Sequence, residues 1–228
     1  PFSLAVQRMV VGTQAFPLLA VPFFVLAGHI MNASGITSRL LKFADALTGH
    51  IVGSIAHVSI VLSMLMGGIS GSSNADAGME TRMILPKMRE KGYEDGFSAV
   101  VLAYGSLVVA IIPPGIGLIL YGFVGQVSIG KLFIAGIIPG LVLCLLFMVM
   151  IVVRCSINPR LGPPGPVFSI KDKFKSIGPT AEMILLVVLV VGGLIIGWFT
   201  PTEAGAIGAS GAIVFSLVRR RLKWRGFR

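Results

Sequence analysis

The chain has 228 residues and a formal net charge of +10; 55% of its residues are apolar, while Asp, Glu, Lys and Arg make up only 12%. A soluble domain carries about 25% charged residues, so this composition, with a mean hydropathy of +0.92, excludes a water-facing globule and with it a soluble enzyme. The basic residues sit between long uncharged runs rather than in a patch, which points to membrane sidedness and away from nucleic acid as a partner.

The chain opens at Pro1 without the basic, apolar and small-residue order of a signal peptide, and it reads as a piece of a longer protein. A helix needs about 20 apolar residues to cross a hydrocarbon core of roughly 30 Å. Residues 14–33 have that length and are followed by Arg39 and Lys42. Residues 49–69 are apolar but glycine-rich, and they run into Ser70-Gly71-Ser72-Ser73-Asn74-Ala75-Asp76. Beyond lie Glu80 and Arg82. Each charge from Asp76 onward costs about 2.5 to 3.5 kcal/mol at the centre of a lipid-exposed helix. Only Met79, Met83 and Met88 supply an apolar stripe. Residues 49–91 therefore read as a re-entrant hairpin packed inside protein, since irregular backbone survives at membrane depth only there or beside a cavity. Two full crossings satisfy the same charge parity.

Residues 97–127 hold no charge across 31 positions, more than one span uses. The excess makes sense if the helix unwinds at Ile112-Pro113-Pro114-Gly115, where two prolines remove two amide donors and leave carbonyls near Val109 and Ala110 unpaired. Residues 132–153 form the next span, and 154–178 form a long basic loop made stiff by Pro159 to Pro166. Cys144 and Cys155 give no disulfide framework. Residues 180–198 and 200–218 complete the spans. The last begins with Thr200 as N-cap, Pro201 at the first helical position and Glu203 closing a capping box. Gly205, Gly208 and Gly211 suit close helix packing, and Trp198 and Trp224 flank spans where interfacial aromatics are expected.

If residues 49–91 enter and leave on one side, 17 of the 19 Lys and Arg residues fall on one face, with Arg8 and Lys131 opposite. By the positive-inside rule the crowded face is cytoplasmic. A packed turn at the hairpin tip and a simple proline kink are the plain readings of the two irregular segments taken singly. Consecutive in the chain, they match the way secondary transporters build a midplane site from a discontinuous hairpin and a discontinuous helix. Hydroxyls and freed carbonyls supply the oxygens a hard cation such as sodium requires, and a helix restarting near Ser73 or Asn74 points its positive end toward an anion.

Gly28-His29-Ile30-Met31, Gly68-Ile69-Ser70-Gly71-Ser72, Pro86-Lys87-Met88 with Gly92-Tyr93, Ile112-Pro113-Pro114 with Tyr121-Gly122, Phe133 to Gly140 and Phe199-Thr200-Pro201-Thr202-Glu203-Ala204 occur in an order and spacing that resembles the large membrane subunit of tripartite ATP-independent periplasmic (TRAP) transporters. The resemblance implies an all-α polytopic membrane protein of the bacterial inner membrane, the first part of an inverted-repeat, elevator-type importer. It implies sodium coupling, a small membrane (Q-type) subunit, and a periplasmic solute-binding protein that delivers a small carboxylate-bearing solute. Carried over, residues 1–48 are scaffold span and connecting arm, 49–127 are transport-domain elements, 128–198 are further spans, and 199–228 start the second repeat. Sodium is expected at Ser70, Gly71, Ser73, Asn74, Ile111, Pro113, Pro114 and Gly115, and the solute at Ser72, Ser73 and Asp76. Asp76 has capping of the second hairpin helix as an equal alternative. The family usually shows Ser where this chain has Gly115, so a ligand there is backbone, and His29 reads as scaffold packing. Gly68-Ile69-Ser70-Gly71 also fits an intramembrane serine protease, which needs His29, His50 or His57 as base; a channel-like structural subunit is the other alternative.

Overall fold

The computed structural model describes residues 16–163 and 180–218 with isolated residues at 3, 6, 7 and 178, and gives the backbone alone at 16, 68–70 and 182–183. Arg8, Pro164, Pro166, Lys171, Lys173, Lys175, Trp224 and the basic residues from Arg219 onward lie outside the described residues. Among the described residues every regular element is helical, as expected of an all-α polytopic membrane protein.

A short 3-10 turn at Phe16–Leu19 leads into α1 (Ala20–Ala33), and α2 (Ile36–Thr48) follows at a bend of 77°. Leu40, Leu41 and Ala44 of α2 are buried while Lys42 is exposed, the three-to-four spacing of an amphipathic arm. α3 (Ser54–Ser70) is the central helix: every residue from Ser54 to Ser63 is buried, walled by α1, α2 and two later helices. After Gly71 and Ser72 the chain continues as α4 (Ser73–Met83) and α5 (Leu85–Glu90). The split at Ile84 precedes Pro86, which has no amide to give the carbonyl of Arg82.

The two feet of this hairpin meet. Tyr93 accepts a hydrogen bond from the amide of Ile55 at 3.2 Å and donates to the carbonyl of Pro163 at 3.4 Å, and the Gly53 amide donates to Gly162 at 3.1 Å. Both ends of the 49–91 segment therefore lie beside the 158–163 turn, on one side of the molecule.

α6 (Asp95–Ile111) and α7 (Ile116–Val124) form the expected interrupted helix, bent by 45° over residues 112–115. α8 (Ile129–Ile157) is one rod of 29 residues despite Pro139, about 43 Å long at 1.5 Å per residue. Ile138, Leu145, Leu146 and Val149 along it are each more than half exposed, an apolar face suited to lipid. α9 (Ala181–Ile196) and α10 (Pro201–Val218) follow, the latter opened by the expected capping box: Glu203 donates its amide to Thr200 Oγ1 at 3.3 Å, and Thr200 returns its own to Glu203 Oε2 at 2.8 Å. The glycines of α10 bring helices close, since a Cβ on Gly205 would stand 3.1 Å from Phe23 of α1 and one on Gly211 would stand 2.4 Å from Leu186 of α9. Among the described residues α8 and α10 are long and apolar enough to cross a membrane, and each of the bent pairs α1/α2 and α6/α7 adds a candidate span.

Candidate functional site

The hairpin tip is a two-residue interruption. Gly71 has a φ of +58°, and a Cβ there would stand 2.4 Å from the carbonyl oxygen of Pro114. Ser72 is extended (φ −120°, ψ 108°) and caps α4 by accepting the Ala75 amide at 3.4 Å. This is narrower than the Ser70 to Asp76 tip expected from composition. Ser70 closes α3, its side chain lying outside the described residues, and Ser73 to Asp76 form the first turn of α4. Once Gly71 makes the left-handed turn, a Ser N-cap is enough to restart the helix.

The break in the next element lies directly against it. The last amide of α6 to find a partner is that of Ile112, which donates to Val108 at 3.0 Å. With prolines at 113 and 114, the carbonyls of Val109, Ala110 and Ile111 receive no amide among the described residues. The first amide of α7, on Ile116, donates instead to the carbonyl of Gly71 at 3.0 Å. Glycines flank the freed oxygens: a Cβ on Gly115 would stand 2.6 Å from the Ala110 oxygen, and one on Gly136 of α8 would stand 2.5 Å from that of Ile111. Thus Gly71, Ile111, Pro113, Pro114 and Gly115 are brought together. Ser73 is half-buried and Asn74 exposed on the first turn of α4; neither side chain is hydrogen-bonded to the break.

Asp76 does not cap α4, because Ser72 does. Its carboxyl turns to α3 instead, where Oδ2 lies 2.8 Å from Ser63 Oγ, and the residue is only 2% exposed. Its Oδ1 is buried with no hydrogen-bond partner among the described residues. Asp76 and Ser72 line one wall of a cleft of about 130 Å³ whose other wall is His29 and Asn32 of α1. His29 is exposed among the described residues and faces this cleft.

Sequence reasoning missed Ser59, Ser63 and Glu80. Glu80 is fully buried, with Oε2 accepting from Ser59 Oγ and Oε1 at 2.8 Å from Ser63 Oγ. The signal was the matched spacing of Ser59 with Ser63 and of Asp76 with Glu80, four residues apart on each arm and so on one helical face. Gly105 of α6 faces the same stretch of α3: a Cβ there would stand 3.1 Å from Ile60 Cδ1, with Ser63 Oγ and Ser59 Oγ in ordinary contact at 3.5 and 3.6 Å. His57, a candidate protease base, is buried with Nδ1 at 3.0 Å from the Gly53 carbonyl and Nε2 at 3.2 Å from that of Met148. Its ring nitrogens are thus committed to the backbone.

Residues 1–227 match the family described as the tripartite ATP-independent periplasmic transporter, DctM component. The chain is 41% identical over 226 residues to the sialic acid TRAP transporter large permease protein of Vibrio cholerae, covering 99% of this chain and 52% of that protein. It is 36% identical over 217 residues to the 2,3-diketo-L-gulonate TRAP transporter large permease protein of Escherichia coli, covering 95% and 50%. Against the C4-dicarboxylate TRAP transporter large permease protein of Pseudomonas aeruginosa the identity is 36% over 207 residues, covering 91% and 48%. The chain spans about half the length of these relatives. It therefore belongs to the DctM component family of tripartite ATP-independent periplasmic transporters, whose members are integral membrane transport proteins and not enzymes.

Proposed function

We propose that this chain is the first part of a sodium-coupled, inverted-repeat importer of the bacterial inner membrane, which takes a small carboxylate-bearing solute from a periplasmic binding protein and works with a small membrane subunit. The names of its relatives, which include permeases for sialic acid, C4-dicarboxylate and diketogulonate, support a carboxylate as cargo. The observation that carries the reading is the Ile116 to Gly71 hydrogen bond at 3.0 Å, which locks the tip to the break beside three carbonyls without amide donors. Peptide oxygens without partners in a membrane interior are costly, and a hard cation with a preference for oxygen offsets that cost.

In this reading sodium is held by Ser70, Gly71, Ser73 and Asn74 from the tip and by the backbone of Ile111, Pro113, Pro114 and Gly115 from the break. Its binding comes first and fixes the start of α4, whose positive end then meets the solute carboxylate next to Ser72 and Ser73. Asp76 shapes the same cavity. Residues 49–127 then move as an elevator against the scaffold that includes residues 1–48. In the complete transporter, Ser70→Ala and Ser73→Ala each raise the sodium concentration for half-maximal uptake by roughly three- to tenfold, since one lost oxygen contact is worth about 1 kcal/mol. Unchanged sodium dependence in both variants overturns the site.

A further inference from the structure

Inside the hairpin, away from the tip, the hydrogen bonds cannot all be made with the protons that the serines supply. Ser59 Oγ donates to Glu80 Oε2, while Ser63 Oγ stands 2.8 Å from both Asp76 Oδ2 and Glu80 Oε1. A serine hydroxyl has a single proton to give. Ser63 therefore donates to one carboxyl group, and its second contact sets two oxygens together with no hydrogen between them unless that carboxyl is itself the donor. Neither Asp76 nor Glu80 pairs with a Lys or Arg among the described residues, and two neighbouring buried carboxylates cannot both ionise without strong repulsion.

We propose that Glu80 binds an exchangeable proton and donates it to Ser63, making the hairpin interior a proton site distinct from the tip and the break. Glu80 rather than Asp76 is the carrier for two reasons. Asp76 sits in the first turn of α4, where the positive end of the helix favours a negative charge, whereas Glu80 lies a turn deeper and is 0% exposed. Asp76 also lines the cleft beside His29, and its buried Oδ1 has no partner. Glu80 does not line that cleft. Binding makes one O–H bond on a Glu80 oxygen and breaks one on a hydronium ion of the surrounding water, leaving water; release passes the proton to hydroxide, again leaving water.

The surroundings hold little else that titrates. From α3 the facing groups are Ser59 and Ser63, with His57 turned to the carbonyls of Gly53 and Met148. From α6 the neighbour is Gly105; Asp95 is paired with Arg89 at 2.7 Å, and Tyr104 packs edge-on against Phe147. Arg82 on α4 and Lys87, Arg89 and Glu90 on α5 are exposed. From α1, His29 reaches the cleft that Asp76 lines.

The test is infrared spectroscopy of the complete transporter in lipid, followed against pH. The wild type shows a protonated carboxyl band that shifts on exchange into heavy water and is lost at alkaline pH; Glu80→Gln lacks it. Ser59→Ala, which removes one hydrogen bond from Glu80 and spares its carboxyl group, moves the band's frequency and its pH midpoint. A band identical in wild type and Glu80→Gln, or, should Glu80→Gln fail to assemble, one that Ser59→Ala leaves unmoved, overturns the proposal. Ser59, Ser63 and Glu80 are outside the sodium and solute positions, so sodium titration of uptake in the same samples fails or succeeds independently.

Discussion

At the scale of single residues, Gly71 is where the two irregular segments depend most on one atom's absence. Its φ of +58° is left-handed, and the place of a Cβ is taken by the Pro114 oxygen at 2.4 Å. A left-handed non-glycine residue costs roughly 1 to 2 kcal/mol before any clash. The clash here falls on backbone, which cannot rotate away as a side chain can. Gly71→Ala in the complete transporter is therefore expected to lower thermal stability and to remove most uptake. Gly78→Ala on the same hairpin, where nothing lies within 4 Å of the added carbon, is expected to leave both close to wild type. The need for glycine at the tip was legible in the sequence, since a polar run between two helical segments must turn. The partners of Asp76 and Glu80 were not. Which serine faces which carboxyl group depends on the register of two antiparallel arms, and that register is set by the narrow turn at Gly71 and Ser72, which composition alone made five residues too wide.

At the scale of elements, the interrupted helix follows from missing donors. A span of 31 uncharged residues with two adjacent prolines announces its own break, and α6 and α7 end and begin on either side of residues 112–115. What the sequence could not show is that the first amide of α7 would be spent on Gly71 and that Gly136 of α8 would leave room at the Ile111 oxygen. Both are contacts between elements and leave no mark in local periodicity. The double substitution Pro113→Ala with Pro114→Ala returns amides to the carbonyls of Val109 and Ala110, and α6 is expected to extend through the break. Its measurable outcome is sodium-independent residual uptake or none, together with hydrogen-exchange protection of the amides of residues 113–115. A sodium response equal to wild type would mean that the freed carbonyls are not ligands. The split of the hairpin's second arm at Ile84 has the same cause on a smaller scale, one proline at 86 with no amide for Arg82.

At the scale of the whole molecule, sidedness rests on the contacts that gather the hairpin's feet. Gly53 and Tyr93 are both hydrogen-bonded to the 162–163 turn, so the hairpin returns to the side it left, which is the condition under which charge counting puts 17 of the 19 basic residues on one face. Several of those residues lie outside the described part, but Arg39, Lys42, Arg82, Lys87, Arg89, Lys91, Arg154 and Arg160 do not. The rod α8 separates the two faces: from Ile129 to Ile157 the chain rises about 43 Å, more than the hydrocarbon core. Both cysteines of this chain are buried, so in a complete transporter cleared of cysteines outside this chain a single introduced thiol reports its own position. Ile157→Cys, at a site 77% exposed, is expected to react with an impermeant maleimide only in inside-out vesicles, and Val127→Cys, at a site 48% exposed, only in right-side-out cells. Labelling of both from one side would mean that α8 does not span.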